Sequence, residues 1–333
     1  MSMMYLFVFE NTHDAIAGEQ ALLSANILAT VVPLPSAIGS GCGICLRVSK
    51  NEMDQSLWTL KQHEIPSKTY EIIENGRKKT YHRYLMGPLT KALGVKDQDI
   101  ISIVGCGGKT TCMYQIAKEQ KEEKVMVTTT THIMIPKEGE LVDHIYNQEE
   151  SQKLTKDTVT PGRYLIYGGF NEKGKCVALS YEELEALSKL FTITIMEADG
   201  SRCLPIKGYR EYEPCTPPYA TLTVGILPLK SLGQPLDDRT VHRVPEFCNM
   251  TGGNKGDMIT LDHIGKIITH PDGMYKGTKG RKILFLNQLD DEGEIDQAKE
   301  LLPYLSKEFL DSVDRIIAGS LQKEHYVTIY SHD

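Results

Sequence analysis

The sequence predicts an α/β protein in two parts, a small mixed sandwich followed by a larger, mostly parallel sheet. Three observations predict it. Residues 4–73 alternate short apolar runs with two amphipathic stretches. From about residue 80, strand-like and helix-like segments alternate singly, as in a parallel sheet covered by helices. Between two of them, Ile101-Ser102-Ile103-Val104 runs into Gly105-Cys106-Gly107-Gly108-Lys109-Thr110-Thr111, a glycine turn that opens a helical pattern.

In the first part, Tyr5–Phe9 reads as a strand, and Asn11 or Thr12 can cap a helix carrying Ala15, Ile16, Leu22 and Leu23. Leu28–Val32 is a second strand, ended by Pro33 and Pro35, and Ile44–Val48 a third. Asn51 caps a helix with Met53, Leu57 and Leu60 on one face, and Thr69–Ile73 closes the unit. The order β-α-β-β-α-β is that of a ferredoxin-like sandwich. The polar run Glu74–Lys79 reads as a linker, which sets the domains at 1–76 and 77–333.

In the second part, strands are expected at Ile100–Val104, Lys124–Thr128, Tyr164–Tyr167, Thr192–Met196, Thr221–Ile226, Ile283–Leu286 and Arg315–Ala318. Helices are expected at Tyr181–Leu190, Asp238–Phe247 and Ile295–Leu302.

Composition excludes several classes. A net charge of -7 argues against a nucleic-acid partner, which calls for a basic face. No apolar run nears the roughly 20 residues that span a bilayer, so no membrane segment is expected. Met1–Tyr5 lacks the basic start of a signal peptide, and a cytoplasmic location is the expectation. The eight cysteines are then expected to be reduced.

The turn at 105–110 carries the chemistry. Glycines let several N–H groups converge on one anion, and the helix N-terminus behind them adds partial positive charge. Gly105, Gly107, Gly108, Lys109, Thr110 and Thr111 are therefore candidate phosphate ligands, with the Thr110 hydroxyl on Mg²⁺. The usual spacing is G-x-x-x-x-G-K-[ST]; here only two residues separate Gly105 from Gly108. An ordinary strand-to-helix turn would use the same glycines, but the order of strand, glycines, Lys-Thr and helix favours a P-loop NTPase-like fold.

Thr192–Met196 runs into Glu197-Ala198-Asp199-Gly200, a strand ending in two carboxylates on one face. Beside a phosphate loop, Asp199 is a candidate Mg²⁺ ligand and Glu197 a candidate to orient a nucleophile; a solvated Asp-Gly turn is the plainer alternative. Val127–Thr131 ends a strand in threonines, of which Thr129 and Thr130 are candidates for phosphate or substrate. Asn287-Gln288-Leu289-Asp290 resembles the guanine-reading N-K-x-D element of GTPases, with Gln in place of Lys. Asn and Asp are also common turn residues, so ATP and GTP stay open. His242 and Arg243 suit an anionic substrate, or a surface helix. Cys42, in the glycine loop Gly39–Gly43, is the better candidate for a reactive thiol. Cys45 is expected to be packed.

These residues carry a family resemblance. From about residue 80 to the end, the chain resembles the selenium-dependent molybdenum hydroxylase accessory family known as YqeC. The matching residues are Val104–Thr111, Val127–His132, Glu197–Ser201, Glu213-Pro214, Gly233–Leu236, His242-Arg243 and Leu286–Asp290. The loop is also similar to that of Mur-type amide ligases. The first 75 residues resemble a small selenium/sulfur carrier family, through Pro35 and Gly41-Cys42-Gly43. The resemblance implies maturation of the selenium cofactor of molybdenum hydroxylases, with Cys42 holding selenium or sulfur from a donor. A Mg²⁺–nucleotide, ATP or GTP, would drive delivery, and an apo molybdenum hydroxylase is an implied partner. Lys109, Glu197, Asp199 and Cys42 would be catalytic, and His242 and Arg243 would face the acceptor. Fusing carrier to nucleotide domain raises the local concentration of the cargo. Two other functions fit the residues: a Mur-like ATP-dependent carboxylate–amine ligase and a non-catalytic, nucleotide-gated chaperone.

Overall fold

The computed structural model describes residues 4–39, 43–75, 78–84, 88–136 and 139–332. The chain divides into two compact units, Met1–Leu85 and Met86–Asp333.

The first unit is built from β1 (Met4–Val8), α1 (Thr12–Ser24), β2 (Thr30–Pro33), β3 (Ile44–Ser49), α2 (Lys50–Gln62), β4 (Lys68–Asn75) and β5 (Lys78–Tyr84). Its sheet has the order β2-β3-β1-β4-β5, and every pair is antiparallel. The first four strands take the ferredoxin-like order that the sequence predicts. Asn11 does cap α1, its side chain accepting from the backbone N–H of Asp14. The second helix begins at Lys50, a residue ahead of the expected Asn51 cap. Within the run 74–79, Glu74 pairs with Lys79 and Asn75 with Lys78, which adds a fifth strand, and the compact unit runs to Leu85.

The strand β1 is buried on both faces. Phe7 packs with Phe9, Leu22, Leu46 and Leu60 on one side, while Leu6 and Val8 pack with Cys45 and Ile72 on the other. Cys45 is thus a core residue, as expected, with its thiol 3.5 Å from the Val32 carbonyl. Leu34 N–H donates to Gly43 O at 3.0 Å, closing the base of the glycine loop.

The second unit contains α3 (Pro88–Ala92), β6 (Ile100–Gly105), α4 (Lys109–Glu119), β7 (Lys124–Thr129), β8 (His144–Tyr146), α5 (Gln148–Ser151), β9 (Gly162–Ile166), α6 (Tyr181–Ser188), β10 (Ile193–Glu197), β11 (Leu222–Pro228), α7 (Val244–Thr251), α8 (Leu261–Thr269), β12 (Arg281–Asn287), α9 (Glu292–Lys299), α10 (Lys307–Ser312), β13 (Arg315–Ser320) and β14 (His325–Ser331), besides two-residue strands. The order of the nine-stranded sheet is β14-β13-β12-β11-β6-β10-β7-β9-β8. All neighbours run parallel except β14, an antiparallel edge strand. The central strands are apolar on both faces, as sheets covered by helices on both sides require; Ile101, Ile103 and Val104 of β6 are fully buried.

Each predicted strand is present to within a few residues. The helix predicted over Asp238–Phe247 is not. The Asp237 carboxylate accepts from the backbone N–H groups of Arg239 (2.9 Å) and Thr240 (3.2 Å), which closes a turn there. Arg243 adopts φ 68°, and the helix starts only after it.

The order places the site. From β6 the chain crosses to β7, later returns to fill the gap with β10, and then passes to the other side of β6 with β11. The carboxyl ends of β6, β10 and β11 therefore meet where the winding reverses, the position at which open α/β sheets bind ligands.

Candidate functional site

Two glycines shape the turn after β6. Gly105 has φ 97°, and a Cβ on it would lie 2.2 Å from the Ile226 carbonyl of β11. Gly108 has φ 133° and leads into α4; a Cβ there would meet the Asn287 amide at 2.5 Å. Only glycine fits either position without displacing backbone or a fixed side chain.

Lys109 opens α4 but does not point to solvent. Its ammonium turns back into the loop and donates to Gly105 O at 2.7 Å. It lies 3.3 Å from Asp199 Oδ1 and 3.8 Å from Glu197 Oε1. The next residue, Thr110, donates its hydroxyl to Glu197 Oε2 at 2.6 Å. The two acids at the end of β10 thus converge on the Lys-Thr pair at the start of α4, across almost ninety residues of sequence.

Asp199 is fully buried. Its Oδ2 accepts from Gly105 N–H at 3.0 Å and from the Lys207 ammonium at 3.2 Å. Its Oδ1 is buried with no hydrogen bond among the described residues. Lys207 donates in turn to Gly200 O (2.8 Å) and Glu213 Oε2 (3.2 Å), and stands 4.7 Å from the centre of the Tyr209 ring. Glu213 is held by the Arg243 guanidinium through both carboxylate oxygens, one of them at 2.8 Å. Glu197, Lys109, Asp199, Lys207, Glu213 and Arg243 form one chain of alternating charge.

Burial acts against the charged forms of Glu197, Lys109, Lys207 and Arg243. It would lower the pKa of Lys109, but the Asp199 and Glu197 carboxylates outweigh it and hold the ammonium above its ordinary range. Glu197 is pushed up by burial, with Lys109 and Thr110 only partly opposing. Lys207 is pulled down, burial exceeding the pull of Asp199. Lys109 therefore stays an ammonium, and Glu197 is the acid of the pair whose charge burial opposes.

The other predicted residues fall around this centre. Thr129 Oγ1 donates to the backbone O of Glu197 (3.0 Å) and accepts from Thr131 N–H (2.9 Å), so it shapes the turn. Thr130 N–H also donates to Glu197 O (3.0 Å), while its hydroxyl is buried without a partner among the described residues. His242 pairs across from Lys207 in a short parallel bridge. Burial, and then Lys207, Arg202 and Arg210, hold its imidazole below the ordinary range. Arg243 is committed to Glu213 and does not face open space.

On the other side, Asn287 at the end of β12 donates to Gly107 O at 2.7 Å and accepts from Leu321 N–H at 3.0 Å. Gln288, at φ 66°, donates to the same Gly107 carbonyl at 3.2 Å. Beyond them a cleft of ≈ 400 Å³ runs from Gly108 and Thr111 to Asp290, which is exposed. Cys42 lies outside the described residues.

Lys207 and Glu213 were not among the candidates from sequence. A lysine between Ile206 and Gly208, in an otherwise apolar segment, was the available signal. Among the described residues no three His, Cys, Asp or Glu side chains gather as a metal cluster. A Mg²⁺ site needs less, because phosphates and water supply most of its oxygens. The Thr110 hydroxyl and Asp199 Oδ1, whose neighbour is the Lys109 ammonium at 3.3 Å, are hard oxygen donors of the right kind. Also among the described residues, no helix is long and apolar enough to cross a membrane.

Fold and site together define the class, a mostly parallel α/β protein whose glycine turn, lysine and two carboxylates meet at the reversal of the sheet. Residues 101–245 match the family described as "YqeC protein", and residues 4–71 match "Putative Se/S carrier protein-like". The chain is thus similar to the first family over residues 101–245 and, ahead of that, to the second over residues 4–71. It is 26% identical over 235 residues to "Uncharacterized protein YqeC" of Escherichia coli (strain K12), covering 68% of this chain and 90% of that protein. No solved structure matches. The two families fit a selenium-related accessory role.

Proposed function

We propose that the chain is a Mg²⁺–nucleotide-dependent accessory protein that delivers selenium or sulfur, carried on Cys42, for the maturation of a molybdenum hydroxylase. The observation that carries the nucleotide part is the position of Lys109, inside a glycine turn at the reversal of the sheet and facing Asp199 and Glu197. The carrier part is supported by the family match over residues 4–71 and by the Gly-Cys-Gly loop within it.

The turn amides and the first turn of α4 receive the phosphates, and Lys109 swings from Gly105 O to the outer phosphate oxygens. The Thr110 hydroxyl and Asp199 Oδ1 hold Mg²⁺, which when bound neutralises charge on the phosphates. In hydrolysis, water attacks the terminal phosphorus and the bond to the bridging oxygen breaks. Glu197, freed from Thr110, orients that water and takes up its proton. Lys207 keeps Asp199 Oδ2 fixed so that Oδ1 faces the loop. His242 and the unpartnered Thr130 hydroxyl contact the acceptor.

The test is nucleotide hydrolysis by the full chain, alone and then with selenide, candidate amines, or an apo molybdenum hydroxylase. Stimulation by selenide supplied with a two-electron oxidant, which loading a thiol with selenide requires, that is lost in Cys42→Ser supports the proposal. Turnover dependent on an amine and a carboxylate would make the chain a ligase, and turnover raised only by the apo-hydroxylase would make it a chaperone.

A further inference from the structure

We infer that the cleft beside the turn takes a guanine base, so that the nucleotide is a guanosine phosphate; the inference rests on the reading of residues 105–110 as a phosphate loop.

The cleft begins at the turn itself. Gly108, Thr111, Asn287, Asp290 and Leu321 are among the residues that line it, and the cation Lys230 also stands on its wall. A nucleotide with phosphates on the turn therefore has an adjoining recess for its base. At ≈ 400 Å³ the recess is of ligand size. Leu321 supplies an apolar wall; its Cδ1 would lie 3.2 Å from a Cβ on Gly108, so turn and wall are in close register. Asn287 fixes that register, since one side-chain amide holds both Gly107 O and Leu321 N–H. The recess is thus a built one, braced from two loops by a buried amide.

Asp290 decides the base. Its backbone N–H is taken by Glu294 at 2.6 Å, which fixes the residue at the lip, while its carboxylate has no hydrogen bond or ion pair among the described residues. A carboxylate only accepts. Guanine presents two adjacent donors on its Watson–Crick edge, N1–H and the 2-amino group, which suit the two oxygens of one carboxylate. Adenine presents an unprotonated N1 there, so its lone pair would face the charge. The preference thus arises from an attractive pair for one purine and a repulsive one for the other.

The experiment titrates the full chain with Mg²⁺ and GTP, ATP, ITP, XTP or inorganic tripolyphosphate. GTP is expected to bind about tenfold or more tightly than ATP, with ITP between them for lack of the 2-amino group. In Asp290→Asn the GTP preference is lost and XTP, whose 2-oxo group accepts from the new amide, becomes the best ligand. Tripolyphosphate, which has no base, binds wild type and Asp290→Asn alike. Equal affinity for GTP and ATP in the wild type, or an unchanged order in Asp290→Asn, overturns the inference while leaving the phosphate loop standing. Binding of none of the five, tripolyphosphate included, overturns inference and phosphate loop together.

Discussion

Thr110 Oγ1 donates to Glu197 Oε2 at 2.6 Å, tying the first turn of α4 to the end of β10. The hydroxyl that would hold a metal and the acid that would orient a nucleophile thus satisfy each other. Thr110→Val removes that bond at nearly constant volume. Nucleotide affinity measured with Mg²⁺ is expected to fall at least about tenfold, and affinity measured in EDTA to change little. An equal loss in both conditions would remove Thr110 from the metal site.

Lys109→Ala leaves Asp199 Oδ1 and Glu197 buried without their cation. It is expected to cost about 3–5 kcal/mol in urea unfolding. Thermal melts separate stability from function. Nucleotide at a hundredfold excess over Kd is expected to stabilise wild type by about 2.7 kcal/mol, and the variant not at all. Alkylation of Cys42 is expected to be the same in both proteins.

Asn287→Ala orphans the buried Leu321 N–H and strips one of two donors from Gly107 O. A loss of about 1–3 kcal/mol is expected. Gln288→Ala, which leaves the 2.7 Å bond to Gly107 O intact, is expected to cost less. Urea midpoints of the two variants check the ranking.

Much of this site was legible because it is local. The strand, the glycines and the Lys-Thr pair lie within a dozen residues, and Asn287-Gln288-Leu289-Asp290 within four. What joins them was not legible. Lys207 reaches Asp199 and Glu213 only because the segment after β10 folds back beneath the turn, and no periodicity announces such a return. The misread helix at 238–247 has a local cause, since Asp237 offers the backbone a turn that competes with the helix. The edge strands β8 and β14 were missed because they are half-exposed and defined by their partners, whereas the central β6 declares itself by continuous apolar residues. The fifth strand of the first unit is charged, Lys78-Lys79-Thr80, and imitates a linker; edge strands commonly carry lysine.

The ion pair of Asp143 with Arg163 sets an acid limit. The Arg163 side chain donates to both carboxylate oxygens, at 2.7 and 2.9 Å, and its N–H adds a third bond. These bonds hold the Asp143 carboxyl down, from 3.8 to about 2. A depressed acid stabilises the fold fully above its unfolded value and loses that contribution as pH falls through the folded one. Urea midpoints of wild type are expected to decline between pH 3.8 and about 2, and those of Asp143→Asn to show a shallower decline over the same window.

Thiol reactivity provides a map of burial. The Cys106 thiol, beside the site but fully buried, is pushed up to about 12 by its surroundings, whereas Cys203 is exposed. Iodoacetamide at pH 8 is expected to label Cys203 in the folded protein and Cys106 only after denaturation, read by peptide mass spectrometry. Rapid native labelling of Cys106 would mean that the turn opens.

The alternating row from Glu197 to Arg243 sums to zero, three cations against three anions. A bare polyanion approaching the turn therefore meets no net attraction from this row, and the nearest acids repel it. On the proposed reading, a divalent ion arriving with the nucleotide reverses that balance. A phosphate loop in this setting would disregard free sulfate or phosphate and admit an anion that brings its own counterion.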